Sequence, residues 1–584
     1  MTASEEVVAA PSGDGGETGS FSTAPTATEN TPLLRSETAS SGTARDVSPP
    51  PADESLSGMR MACIVLSMWV LIFLQASNMS GISTIQSTIA ADLDAYEYAM
   101  WLTSSYLISM SSVGPVIGRL AMQFSPQTMI LFSSLWFSVG ALVTSQAYSF
   151  AMFIFGRILV GIGGGGVMTL SLILVIQLTS KRRRGLMIGL TNAGFTVGIS
   201  TGAIVFGALL PVIGWRAIFL AQSPLGLLAG IGVYASMPPY ALNPSFKART
   251  TLQKLAGVDY AGALTLTITL VLFLYSLSTP RIGVLPLILS LLMFPIFLAI
   301  EASPRTANPI LPLSILSHRG ILLSCLSQLS FMAARWAVLF YSPVWALAIR
   351  AASPAVAGSV LIPTNLGFGI GGLLIGWLHV RRAGSFWLPC LVSLAFFGLA
   401  LLALSFVTSA SSPPLAYIAV IFLNGLCTGA ALNYTLAHLL HLTEPSAHFI
   451  VTGLLSTFRG FAGSFGTSIG GGIFSRTLSR VLAEGFSRLD GGGLSKARER
   501  LITILVGSPA AVYQDGFLSD AERVVAVAGY GVALRAVYRA AAALCVLILF
   551  LQAGTGWEGP VPEADEDEEE VEGAIEEHDA TMEA

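Results

Sequence analysis

The stretch AMFIFGRILVGIGGGGVMTLSLILVIQL, residues 151–178, carries one charge, Arg157, in twenty-eight residues. As an α-helix rising 1.5 Å per residue it is longer than the roughly 30 Å hydrocarbon layer of a bilayer. A water-soluble protein has no use for an apolar helix of that length. Placing a guanidinium inside it costs about 2.5–3.5 kcal/mol on the membrane-insertion scale, so Arg157 should face a polar cavity. The glycines that follow, Gly161, Gly163, Gly164, Gly165 and Gly166, remove side chains on all faces of one turn.

The pattern recurs on both sides. Apolar stretches of spanning length lie at about 60–81, 98–120, 128–147, 151–178, 186–210, 216–236, 259–278, 284–301, 321–345, 356–379, 386–408, 415–440, 449–474 and 534–553. The 584-residue chain is 53% hydrophobic and 11% charged, with a mean hydropathy of +0.71. Soluble domains carry about 25% charged residues. The expected fold is therefore an all-α integral membrane protein of fourteen transmembrane helices. Five cysteines, Cys63, Cys325, Cys390, Cys427 and Cys545, all fall inside apolar spans without metal or redox spacing. No cofactor and no metal are expected.

Charge is segregated. Residues 1–58 hold 9 of the 34 acids and residues 558–584 hold 13, leaving 12 acids against 28 Lys and Arg between Met59 and Trp557. The formal net charge of −4 thus describes the tails, while the body is strongly basic. Both tails lack the apolar content needed to offset ordering entropy and read as disordered. With the N-terminus cytoplasmic, the inner short loops hold eleven Lys and Arg (181–184, 247, 249, 254, 305, 319, 381 and 382) against three outside, Arg216, Arg281 and Arg350. The positive-inside rule then puts both tails in the cytoplasm.

Gly118-Arg119-Leu120 at the end of the second stretch and Gly376-Trp377-Leu378 at the end of the tenth are eight spans apart. That spacing fits two six-helix halves separated by an extra pair. The organisation is a disordered cytoplasmic tail at 1–58, an N-terminal half at 59–237 and a linker with two extra helices at 238–319. A C-terminal half at 320–555 follows, with a long non-cytoplasmic loop at 475–533, and an acidic tail at 556–584.

Enzyme motifs fail on context. Gly198-Ile-Ser200-Thr-Gly202 matches a nucleophile-elbow string but lies in a membrane helix with no strand before it. Gly194, Gly198 and Gly202 recur every four residues and share one face, which lets a neighbouring helix approach closely. Gly161-Ile-Gly163-Gly-Gly-Gly166 matches a dinucleotide fingerprint and also follows a membrane helix. No catalytic constellation and no nucleic-acid surface emerge, so the chain is not expected to be an enzyme.

Taken with its upstream arginine, Gly156-Arg157-Ile-Leu-Val-Gly161-Ile-Gly163 resembles the fourth helix of the major facilitator superfamily, in its fourteen-span, drug:H⁺ antiporter-like branch. Trp215-Arg216 with Phe219, Pro224 and Gly226, Asp259, and Phe458-Arg459-Gly460 with Gly463-Ser464-Phe465-Gly466 extend the resemblance over about residues 60–555. The resemblance implies two six-helix halves plus two central helices, working by alternating access. Asn78 stands where the branch usually has a helix-one Asp. Met122, Pro126 and Gln127 replace the charged latch between helices two and three, and Ala203 replaces a common Pro.

Between Tyr98 and Phe474 the only acids are Asp259, Glu301 and Glu444, all at helix ends, so the usual mid-membrane proton carrier is missing. His438 and His441 with Glu444 share a helix face, which fits a proton relay or metal site, or plain helix-terminal polarity. The substrate-cavity candidates are Arg157, Asn78, Arg335, Asn365, Asn433 and Tyr434. Arg335 sits without an acid to pair with in Phe331-Met-Ala-Ala-Arg335-Trp336. Gly118, Gly161, Gly163, Gly194, Gly198 and Gly202 are the gating and packing positions.

The N-terminal tail contains Glu29-Asn-Thr-Pro-Leu33-Leu34, which resembles an acidic dileucine sorting signal read by clathrin-type adaptors. With the span motifs, the chain is similar to fungal vacuolar amino-acid uptake transporters. The expected function is transport of amino acids or related metabolites across the vacuolar membrane, by a monomer whose partners are its solute and the bilayer. The alternatives are a plasma-membrane multidrug or toxin exporter, and a non-transporting nutrient receptor on the same fold. The missing carboxylate favours neutral, carboxylate-bearing solutes over Lys- or Arg-like ones.

Overall fold

The computed structural model describes residues 58–178, 181–237, 259–278, 282–303, 309–311, 313–378, 385–443 and 448–557, with backbone alone at 122–123, 172, 175–178, 181–193 and 449–450. Glu29, Leu33, Leu34, both tails, Glu444 and much of the linker lie outside the described residues. Every regular element among the described residues is a helix.

The apolar stretches fall largely within long helices, the one at 356–379 being split between a short helix, Pro354–Ser359, and a longer one. The long helices begin with α1 Gly58–Asp92, α2 Trp101–Gln123, α3 Pro126–Ser145 and α4 Phe150–Leu178. The helix Lys181–Ser236 breaks at Gly214 into α5 (181–213) and α6 (215–236). Gly214 has φ 74°, and nothing lies within 4 Å of where its Cβ would be, so the backbone angle and not crowding demands glycine there. Then come α7 Tyr260–Ser278, α8 Val284–Glu301, α9 Arg319–Arg350, α10 Leu361–Leu378, α11 Trp387–Val407, α12 Pro414–His441, α13 His448–Leu489 and α14 Asp520–Ala553.

Eleven of the described helices are long and apolar enough to cross a membrane, one of them covering both α5 and α6. The two long helices that fall short in apolarity, α2 and α13, pack on each other across the two halves. Ser111 of α2 and Ser464 of α13 hydrogen-bond at 2.8 Å. Their polarity follows from facing the junction instead of lipid.

In the first half α1 packs on α5 and α6, and α3 on α4. In the second, α10 packs on α12 and α9 on both α13 and α14. The inserted pair α7–α8 packs mainly on itself and leans against α2 and α13.

At one end of the bundle, here the tail end, lie residues 58 and 553, and Gly320 approaches Leu442 and Thr555. At the opposite, capped end Trp215 Nε1 and Arg216 Nη1 donate to Asp92 Oδ2 at 3.2 and 2.5 Å, and Arg216 Nη2 donates to Ala147 O at 3.1 Å. This Trp-Arg pair ties α6 to the ends of α1 and α3.

The segment read from sequence as a loop at 475–533 is largely helical. Helix α13 continues to Leu489 because Leu478, Leu482 and Phe486, spaced by four, bury one face against the second half, where Leu478 and Leu482 crowd Gly529 of α14. A short helix, Lys496–Gly507, follows, capped by Ser495. Helix α14 begins at Asp520, with a capping box formed by Ser519 and Glu522. Arg498 ties the cap together through Asp490, at 2.8 Å, and Glu522.

Candidate functional site

The glycines of α4 and α5 are places of close approach. A methyl group on Gly161 would sit 2.6 Å from Tyr106 O of α2, and one on Gly163 would strike the α3 backbone at Ser133 and Phe137. Gly194, Gly198 and Gly202 face Trp69, Ala76 and Ser77 in turn, so one stripe of α5 lies against α1. Gly118 is looser, with Thr169 Cγ2 3.6 Å from its would-be Cβ. This packing draws α1, α2 and α4 around one buried side chain.

That side chain is Arg157, with 0% exposure. Its Nη1 donates to Asn78 Oδ1 at 2.8 Å, its Nη2 to Asn78 O at 3.4 Å and its Nε to Leu102 O at 3.2 Å. The Tyr106 ring lies 4.6 Å from the guanidinium carbon and Phe219 5.7 Å. Asn78 Nδ2 donates in turn to Leu74 O and to Gln222 Oε1. Arg157 is thus held inside the first half by neutral acceptors and by aromatic faces.

Arg335 occupies a second such nest, 3% exposed. It donates from Nη1 to Thr364 Oγ1 at 3.0 Å and from Nη2 to Asn365 Oδ1 at 2.9 Å, and lies over Phe368 at 5.0 Å. Asn365 Nδ2 donates to Ser200 Oγ at 2.9 Å. The chain Arg335–Asn365–Ser200 therefore runs from α9 through α10 to α5, from one half into the other. The structure brings Arg157 together with Asn78, and Arg335 with Asn365. Asn433 stands apart, donating to Gly372 O at 2.7 Å and so joining α12 to α10, and Tyr434 packs in the core of the second half. His438 Nε2 meets Thr555 Oγ1 at 2.9 Å, and His441 stands edge-on to Phe386. No cluster of three metal-ligating side chains exists among the described residues.

Two features escaped sequence reading. Arg459 of α13 is half-buried and has no hydrogen-bond or ion-pair partner among the described residues. It lies on the helix face of Gly463 and Gly466, one turn nearer the tail end. Gly463 sits between Leu107 of the first half and Trp336 of the second, so Arg459 lies on the face of α13 that meets the junction of the halves. The Phe458-Arg459-Gly460 motif was the available signal. The other feature lies at the tail end, where Arg119 of α2 is close enough to Glu301 of α8 for their charges to interact, and Glu301 to Asp259. Glu301 also accepts from Ile310 N and Leu311 N at 3.1 and 3.3 Å, and Asp259 accepts from Gly262 N at 2.8 Å. Gln127, one of the residues standing where the charged latch is missing, instead ties α3 to α6, donating from Nε2 to Tyr234 O at 2.7 Å.

Comparison with known proteins places this geometry. The sequence profile of the Major Facilitator Superfamily matches residues 68–467. The efflux pump FUS6 of Gibberella fujikuroi is 25% identical over 481 residues, 79% of this chain and 85% of the pump. The MFS-type transporter clz4 of Cochliobolus lunatus is 28% identical over 522 residues, 87% of this chain and 88% of that one. Vacuolar basic amino acid transporter 1 of Saccharomyces cerevisiae is 26% identical over 336 residues, 56% and 59% of the two chains. The inward-facing, unoccupied crystal structure of a bacterial homolog to the human lysosomal transporter Spinster shares the fold, at TM-score 0.58 and 16% identity, covering 86% of this chain and 99% of that one. The helical halves, their inserted pair and these matches agree: the chain belongs to the major facilitator superfamily and is a multi-pass membrane transporter.

Proposed function

We propose that the solute is a small neutral molecule bearing a carboxylate, such as a neutral amino acid or related metabolite, and that Arg459 binds the carboxylate in the passage between the halves. The observation that carries this reading is the contrast among the membrane arginines. Arg157 and Arg335 already donate to neutral acceptors, whereas Arg459 has none among the described residues and lines the junction. A planar guanidinium takes a carboxylate through two parallel hydrogen bonds. Among the described residues no acid stands near Arg459 to hold a second, cationic side chain.

In this reading the two halves rock about the Ser111–Ser464 and Ser200–Asn365 contacts. The protein acts as a transporter without a catalytic role, both tails are cytoplasmic, and the capped end faces the vacuolar lumen. The Glu29–Leu34 segment directs sorting to the vacuolar membrane through a clathrin-type adaptor. The test is Arg459→Gln in proteoliposomes. Loss of a bidentate charge-assisted bond, worth about 1.5–3 kcal/mol, raises the KM for neutral amino acids roughly tenfold or more without lowering the melting temperature. An unchanged KM refutes the assignment.

A second reading, export of apolar compounds, is favoured by a specific observation. The capped end holds an aromatic-walled cavity of about 640 Å³, a drug-sized volume, and the efflux pump relative covers most of the chain.

A further inference from the structure

We propose that the cavity at the capped end is a lateral binding site for an uncharged, planar aromatic amphiphile dissolved in the bilayer, and that Met100 gates its passage to the junction between the halves. The inference rests on the export reading for its route and on the cavity alone for its ligand.

The cavity is enclosed by the turn at 96–98 and the starts of α2 and α4 on one side. The inserted helix α7, the extension of α13 and the short helix Lys496–Gly507 close the other. Two aromatic pairs form its walls: Trp101 with Tyr275 at 5.3 Å between ring centroids, and Tyr98 with Phe150 at 5.3 Å. Rings so placed offer flat faces to a flat ligand. Tyr98 is 53% exposed, Tyr275 44% and Val271 37%, so the mouth opens sideways between α4 and α7. Phe155 and Ile158 on α4 and Ile268 on α7 continue the exposed apolar surface away from that mouth, and such a surface meets lipid.

Charge at the site is balanced. Glu97 at the rim is the only charged residue among the described lining residues, and Asp94 and Arg500 both stand close enough to act on the Tyr96 hydroxyl. Arg476 lies beside the cavity, donating to Leu277 O at 3.0 Å. With two acids, Glu97 and Asp94, against two bases, Arg500 and Arg476, among the described residues, no net charge selects a charged ligand, and the lining serves an uncharged one.

The inner wall leads on. Met100 and Val506 line both this cavity and a smaller one of about 20 Å³ bounded by Gln86 of the first half and Phe340, Tyr341 and Phe474 of the second. The Met100 side chain reaches Gly471 of α13, whose would-be Cβ also lies 3.2 Å from Tyr341 Oη. A flexible, unbranched thioether is thus the partition between a mouth that opens on lipid and the closed end of the junction.

The test uses the full chain in lipid nanodiscs with an uncharged diazirine-substituted naphthalene as photoprobe and mass spectrometry as readout. Labelling should concentrate on the peptides holding Tyr98–Trp101 and Tyr275, saturate, and be displaced by unlabelled naphthalene. Tyr275→Ala and Trp101→Ala should each weaken saturable labelling about tenfold. Met100→Trp should keep the label at Tyr275 and lose it at Tyr341, with Val506→Trp replacing it should the first variant melt early. Unsaturable labelling spread along the lipid-facing helices reduces these residues to an interfacial aromatic belt and overturns the site. Undiminished Tyr341 labelling in both plugged variants overturns the gate. Probe export is measured separately: saturable binding without export keeps the site and removes the export reading.

Discussion

Replacing Arg157 by Ala removes the side chain around which α1, α2, α4 and α6 are packed. Its two shorter bonds, to Asn78 Oδ1 at 2.8 Å and Leu102 O at 3.2 Å, come from a charged donor and are worth about 1.5–3 kcal/mol each. Removing a cation from the hydrocarbon returns roughly 3 kcal/mol. The void left by a fully buried long side chain costs about 2–4 kcal/mol. The balance is a destabilisation of roughly 2–7 kcal/mol. A guanidinium facing a polar cavity, as the sequence alone suggests for Arg157, would on removal cost transport and spare folding. Complete burial adds a folding cost to that expectation. In detergent-purified protein, Arg157→Ala should melt on the order of 5–10 °C lower and transport poorly per folded molecule. Arg157→Lys should fall between, because one ammonium reaches α1 or α2 but lacks the fork that joins them. An Arg157→Ala protein with wild-type melting and wild-type uptake would refute the reasoning.

Asn78→Asp puts a carboxylate against Arg157 and should make uptake more dependent on pH; a pH profile identical to wild type counts against a coupling role for this position. Glu301→Gln removes the charge near Arg119 and should loosen α7–α8 at the tail end, read as faster hydrogen exchange in residues 260–278 with little change in α10–α12. At the capped end, Arg498 holds Glu522 down to about 2 from the usual 4.5, and holds Asp490 below its ordinary value. A depressed acid stabilises above its unfolded pKa, so this cap should stay closed at pH 5, loosen only between about 4.5 and 2, and loosen at all pH values in Arg498→Ala. Leu33→Ala with Leu34→Ala should move a fluorescent fusion from the vacuolar to the plasma membrane; unchanged vacuolar signal removes the sorting proposal.

The helices were legible because lipid imposes one rule, continuous apolarity, and the fourth-helix Arg-Gly run then set the family. The glycine spacing on α5 was legible for a similar reason, since period four on a helix has few uses besides close packing. What the sequence hid depends on which faces meet. Arg157 and Arg335 look alike in sequence, two lone cations in apolar helices, and both are in fact held by neutral acceptors. Arg459 differs from them only through the position of α13 against α2 and α9. The extension of α13 past residue 474 was missed because its polar face breaks the apolar run, while Leu478, Leu482 and Phe486 keep the helical spacing that defines it. The pairing of Arg216 with Asp92 joins residues more than a hundred positions apart, beyond the reach of local pattern.

The central proposal, that Arg459 takes the solute's carboxylate where the described residues offer it no acid, is tested most directly by competition for uptake into vesicles carrying the purified protein. Neutral amino acids, lysine and arginine, and an uncharged aromatic amphiphile should be compared in the same preparation. The account predicts that neutral amino acids compete best and that Arg459→Gln erases their advantage. Strongest competition by lysine and arginine, retained in Arg459→Gln, would mean that an anionic partner holds the solute and would contradict the account.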